Sequence, residues 1–139
     1  MTRDGYDCSD FHRCCDNKGE TLLLIQTDKN YKIGAYTPLN WVTPSSDEVN
    51  NPNDNETFLF SLNQMVKYSK IPGNTCTARS QKEYGPLLGS GTDLGIDKDM
   101  RTGWSATTNG SFFKNREITN GESKFKISEI EIFQVLNNS

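Results

Sequence analysis

The chain is poor in apolar residues. Hydrophobic side chains make up 33% of its 139 residues, and the mean hydropathy is -0.71. Leu, Ile, Val and Phe together number 29, about a fifth of the chain. That lies just above the composition at which a sequence cannot bury enough surface to fold. Long apolar runs are missing too: the longest is Leu22-Leu23-Leu24-Ile25, far short of the ~20 residues of a membrane-spanning helix. The segment Met1-Thr2-Arg3-Asp4-Gly5 does not open an apolar leader, so the expectation is a cytoplasmic protein with reduced thiols and no membrane insertion. No charge of one sign dominates, the net being -3 with a pI near 5.1. This argues against general nucleic-acid binding, which needs a basic surface. Histidine occurs once, at His12, so any Ser–His or Cys–His catalytic pair must use it.

What is present fits one economical domain over residues 1–139. Residues 8–15 have Cys8, Phe11, Cys14 and Cys15 at helical spacing, with Ser9 or Asp10 as cap and Asn17 and Gly19 as stop. Thr21–Thr27 is a strand whose continuous apolar centre suggests burial on both faces. Asp28-Lys29-Asn30 turns it into a return strand over 31–37, making a hairpin. Residues 38–56 read as loop. A second hairpin spans 57–62 and 65–70, with Phe58, Phe60 and Leu62 alternating inward. Turn residues follow around Gly85-Pro86 and Gly89-Ser90-Gly91, then a strand near 93–96. Residues 97–123 are polar and rich in Gly, Asn and Thr around Trp104, Phe112 and Phe113. Over 124–135 the apolar residues change parity, from Phe125 and Ile127 to Ile130 and Ile132. A bulge near Ser128-Glu129 would restore one face, whereas burial on both faces would accommodate Ile132-Phe133. The whole is mainly antiparallel β with a little helix.

Several blocks, in this order, carry a resemblance. They are Arg3-Asp4-Gly5-Tyr6, Asp10-Phe11-His12, Cys15-Asp16-Asn17-Lys18-Gly19, Gly34-Ala35-Tyr36-Thr37, Trp41, and Phe58-Leu59-Phe60. They continue with Gly85-Pro86, Gly89-Ser90-Gly91-Thr92-Asp93-Leu94 and the run from Phe125 through Glu129 to Phe133. Taken together they resemble the TLDc domain family, which includes the oxidation-resistance proteins, and are similar in style to its short, Asn-rich members in single-celled eukaryotes. The resemblance implies a β-sandwich of two antiparallel sheets flanked by short helices. It also implies a non-enzymatic regulatory domain that associates with the vacuolar proton pump (V-ATPase) and protects against oxidative stress. On this reading Asp10, Phe11, His12, Cys15, Asp16, Gly19, Gly34, Tyr36, Trp41, Phe58, Phe60, Gly89, Gly91, Asp93, Glu129 and Phe133 are structural signature residues. Two features depart from the family pattern. Only Met1 and Thr2 precede the Arg-Asp-Gly block, where the family usually has another apolar strand, so the expectation is either a sequence short of that strand or a sandwich closed differently. Thr92 stands where a His is common, and Gly95 replaces a usual larger residue.

No catalytic, cofactor-binding or metal constellation emerges from the residues. His12, Cys14, Cys15 and Asp16 are close in sequence, but adjacent helical positions diverge by about 100°, and structural zinc sites gather two spaced pairs. Gly89-Ser90-Gly91 lacks the Lys-Ser/Thr ending of a phosphate loop. Cys8, Cys14 and Cys15 are the candidates for a thiol-dependent antioxidant, the alternative function, because Cys8 lies near a helix start. A recognition module for another cytosolic protein or a glycan is the third reading. Charge is segregated: Asp47, Glu48, Asp54 and Glu56 lie within 44–56, and Lys67, Lys70, Arg79 and Lys82 within 64–82. Such segments steer partners or are solvated faces.

Overall fold

A computed structural model describes residues 7–43, 49–50, 56–71, 78–89, 92–105, 112 and 117–136. Arg3-Asp4-Gly5-Tyr6, most of the acidic stretch, Cys76, Ser90, Gly91 and Phe113 lie outside the described residues.

Helix α1 spans Cys8–Cys15. Its cap is Asp7, not Ser9 or Asp10: the Asp7 carboxylate accepts the Asp10 N–H at 3.0 Å, and Asp10 returns a carboxylate to the Asp7 N–H at 3.3 Å. This reciprocal box satisfies two amides that the first turn leaves without helical partners. Ser9 donates to Asp7 at 2.6 Å, and these bonds together hold the Asp7 carboxyl below its ordinary range. Asn17 and Gly19 follow with φ of 59° and 75° and end the helix as expected.

The strands are β1 (Thr21–Thr27), β2 (Lys32–Thr37), β3 (Val49–Asn50), β4 (Phe58–Ser61) and β5 (Val66–Ser69). They continue as β6 (Ala78–Ser80), β7 (Leu87–Leu88), β8 (Leu94–Ile96), β9 (Thr102–Trp104) and β10 (Lys124–Gln134). They are hydrogen-bonded in the order β3-β6-β7-β8-β9-β10-β1-β2-β4-β5, each neighbour antiparallel. The protein is thus mainly β, with a single short α-helix among the described residues and a 3-10 turn at Glu117–Thr119.

Both expected hairpins form, but three expectations need correction. In β1, Thr21, Leu23, Ile25 and Thr27 are buried while Leu22 and Leu24 are only half-buried, so one face is closed and the other partly covered. In β4 the inward residues are Leu59 and Ser61, not Phe58, Phe60 and Leu62; Leu59 is 0% exposed and Leu62 49%. The two phenylalanines instead build an aromatic layer on the outer face. Phe58 stacks on Tyr36 at 5.4 Å between centroids, Lys67 sits 4.5 Å over the Phe58 ring, and Phe60 lies against Gly34. A side chain at Gly34 would meet Phe60 Cζ at 2.5 Å. Finally, the stretch read as loop holds β3, and the polar stretch 97–123 holds β9 and the 3-10 turn.

The parity change in β10 is a bulge. Gln26 pairs with Glu129 and Thr27 with Ile127, leaving Ser128 as the extra residue. Its hydroxyl donates to the carbonyl oxygens of Gln26 and Thr27 at 3.0 and 3.2 Å. Phe125 and Ile130 are therefore both buried although their parity differs, while Phe133 is 44% exposed. The bulge lets one strand pair with β9 through Lys124, Phe125 and Lys126 and with β1 beyond it. One apolar cluster joins the two halves, from Leu23, Ile33 and Leu59 on one side to Leu88, Leu94 and Phe125 on the other.

Candidate functional site

The sequence signature gathers first around α1. Phe11 is fully buried, edge-on to Trp41 at 5.6 Å, and the Trp41 indole N–H donates to Thr21 Oγ1 at 3.0 Å. Asp16 forms a parallel bridge with Trp41, and the Asn17 N–H reaches the Trp41 carbonyl at 2.9 Å. These contacts fasten the helix to the sheet. His12 completes the junction. Its Nε2 lies 3.0 Å from the Gln81 carbonyl and 3.1 Å from that of Tyr84, and its Nδ1 lies 2.8 Å from Asp16 Oδ1. Carbonyl oxygens only accept, so Nε2 donates. Asp16 also accepts the Thr43 hydroxyl. A buried imidazole engaged at both nitrogens is a strut between α1, the 41–43 segment and the 81–84 turn.

The thiols are not arranged around that imidazole. Cys8, Cys14 and Cys15 form no disulfide among the described residues. Burial and then the Asp7 charge push the Cys8 thiol up from the ordinary value, the opposite of what a reactive thiolate needs. Cys15 is buried and Cys14 packs against the core. Among the described residues no three His, Cys, Asp or Glu side chains converge on a metal-sized space.

The other signature residues fall in turns and on the sheet. The Gly19 N–H donates to Asn40 Oδ1 at 2.7 Å. Tyr36 donates to Glu20 at 2.7 Å. Gly89 has a φ of 89°, and a side chain there would strike the Asp93 carboxylate. Asp93 is wholly buried and accepts the Phe112 N–H at 2.9 Å. Thr92, with a φ of 61°, accepts from the Arg79 guanidinium. Glu129 is exposed opposite Gln26, and Phe133 lies opposite Leu22.

Two surfaces were not singled out by sequence. The first is the outer strand β5 with its turn. Leu62, Met65 and Val66 are 49%, 84% and 39% exposed, and β5 is hydrogen-bonded only to β4 among the described residues. The second is a groove of about 620 Å³ over the paired strands β9 and β10, rimmed by Lys29, Tyr84, Asp97 and Glu122. Cross-strand register sets Lys124 beside Trp104, Lys126 beside Thr102 and Phe125 beside Gly103. The Trp104 indole rests on Gly95, where a Cβ would come within 2.7 Å of Cζ2, and Tyr84 meets it edge-on at 5.6 Å. Lys29 and Glu122 form an ion pair at the rim. The glycine at position 95 was the available signal, because a larger residue would displace the indole.

Comparison with known proteins places these features in a family. No curated protein matches the chain. A family model described as the TLDc domain matches residues 1–136, nearly the whole length, and takes in the blocks quoted above. The chain belongs to the TLDc domain family.

Proposed function

We propose that this TLDc domain is a non-catalytic, cytoplasmic protein-binding module. In the finer reading that the family resemblance implies, it associates with V-ATPase subunits and so contributes to protection from oxidative stress. The observation that carries the binding reading is the outer strand β5. Leu62, Met65 and Val66 lie together in solvent at its turn, an exposed apolar patch of the kind that marks protein-binding surfaces. The engagement of His12 by three oxygens supports the absence of acid–base chemistry.

For the architecture, we read the ten-stranded sheet as turned over on itself into two layers, with β10 as the shared strand. Its support is the length of β10, its bulge at Ser128, and the one apolar cluster drawn from both halves.

Affinity capture from the source cell with the intact chain, followed by identification of bound proteins, tests the function. Recovery of pump subunits is the expected outcome, and their consistent absence rejects the pump as partner. A Met65→Asp, Val66→Lys double variant is expected to lower capture about tenfold without shifting the unfolding midpoint. Capture that is unchanged by this variant moves the docking surface away from β5. The thiol-dependent alternative has the raised Cys8 pKa against it. It predicts peroxide consumption that disappears in Cys8→Ser or Cys14→Ser.

A further inference from the structure

We propose that the groove over β9 and β10 binds a small neutral saccharide, one or two sugar rings long. The site uses none of the β5 residues and stands independently of the partner-binding reading. Its volume of about 620 Å³ falls within the range of small-molecule sites. Its flat element is the half-exposed Trp104 indole, and two neighbours hold that ring in place. Gly95 backs it, with room for no side chain, and Tyr84 abuts it edge-on at 5.6 Å. A fixed indole presents an electron-rich face. The axial C–H bonds of a pyranose form a matching, weakly positive apolar face.

The rim selects among the ligands that such a face could stack. Lys29, Lys124 and Lys126 are balanced by Asp28, Asp97 and Glu122. Lys29 and Glu122 neutralise each other directly. Lys124 and Lys126 have no ion-pair partner among the described residues, so their ammonium groups are available as donors beside Trp104 and Thr102. Asp97 accepts the Lys98 N–H at 2.7 Å through one carboxylate oxygen and retains acceptor capacity. A nucleotide would set its phosphate charge against three carboxylates, and a cationic peptide would meet three lysines. A ring of hydroxyl groups, each both donor and acceptor, satisfies both kinds of rim group and adds no net charge.

Titration of the intact protein with glucose, N-acetylglucosamine, maltose and cellobiose, followed by tryptophan fluorescence and calorimetry, tests the assignment. Trp41 is buried at 3% exposure, so Trp104 reports the groove. Saturable binding of at least one sugar, with a Kd of about 1 mM or tighter, is expected. Trp104→Ala should weaken it at least tenfold, roughly the loss of one central aromatic contact. Because Trp104→Ala also removes packing, the surface variants Lys124→Gln and Lys126→Gln are measured beside it. Each should weaken binding about threefold to tenfold with the thermal midpoint unchanged. The proposal is overturned by an absence of saturation with all four sugars at roughly 20 mM, a concentration well above the expected Kd. Binding that persists unchanged in Trp104→Ala and both lysine variants overturns it as well. Tighter binding of adenosine monophosphate than of any sugar would do the same, by assigning the groove to an anion.

Discussion

At the residue scale, His12 illustrates how a chemically versatile side chain becomes a structural one. Its ring is 6% exposed and meets three oxygen atoms, from Asp16, from Gln81 and from Tyr84. Truncation would leave the Asp16 carboxylate and two carbonyls short of a donor in a partly buried junction. His12→Ala is expected to cost about 1–3 kcal/mol in urea-induced unfolding, well beyond the effect of a surface substitution. Cys8 makes a different prediction, read through pH. Its thiol pKa is raised above the ordinary 9.0, first by burial and then by Asp7. The folded state therefore holds this proton more tightly than the unfolded chain. The stability it contributes is complete below pH 9.0 and lost as pH rises through the raised folded value. Alkaline titration of unfolding midpoints should show a steeper decline for the native chain than for Cys8→Ala. Equal slopes would separate Cys8 from the alkaline transition.

At the element scale, the informative case is β4. Alternation is legible in Phe58-Leu59-Phe60-Ser61-Leu62, but alternation alone does not say which parity faces the core. The larger aromatics suggest one answer and the structure adopts the other. Pairing with β2 settles it: Phe60 lies opposite Gly34 and Phe58 opposite Tyr36. The rings can then cover a glycine and stack on a tyrosine without entering the interior. Leu59→Ala should cost about 2–5 kcal/mol as a buried truncation, while Leu62→Ala stays within about 0.5 kcal/mol. Chemical denaturation of the two variants measures the parity directly, and equal losses would contradict it. In β10 the sequence was more explicit, because its apolar residues shift parity partway along. Only a bulged strand keeps Phe125 and Ile130 on one face, and Ser128 is the residue that leaves the ladder. In α1 the helix is visible from spacing, yet the cap lies two residues before Ser9 and three before Asp10. Asp7 and Asp10 act as a pair, and the reciprocal bond is what the spacing of acids alone did not convey.

At the scale of the whole molecule, a chain with few apolar residues spends them on one interior. Strands from both ends of the sheet order contribute to a single cluster. Unfolding should accordingly occur in one transition, with far-ultraviolet dichroism and tryptophan fluorescence giving coincident midpoints. Separated midpoints would mean that the two halves are independent. Local pattern determined the helix, the two hairpins, the bulge and the β-rich class, because each depends on periodicity or turn chemistry within a dozen residues. The ordered motif blocks carried the family for the same reason: they are linear features. The groove and the outer edge were decided elsewhere. Trp104 stands in a polar stretch with no periodic neighbours, and it becomes a site wall only when β8, β9 and β10 pair and set Gly95, Tyr84 and Lys124 around it. Those residues are spread from Tyr84 to Lys124, and their meeting depends on strand order. Tertiary structure also decided that His12 is a strut, since two of its three partners lie about seventy residues away.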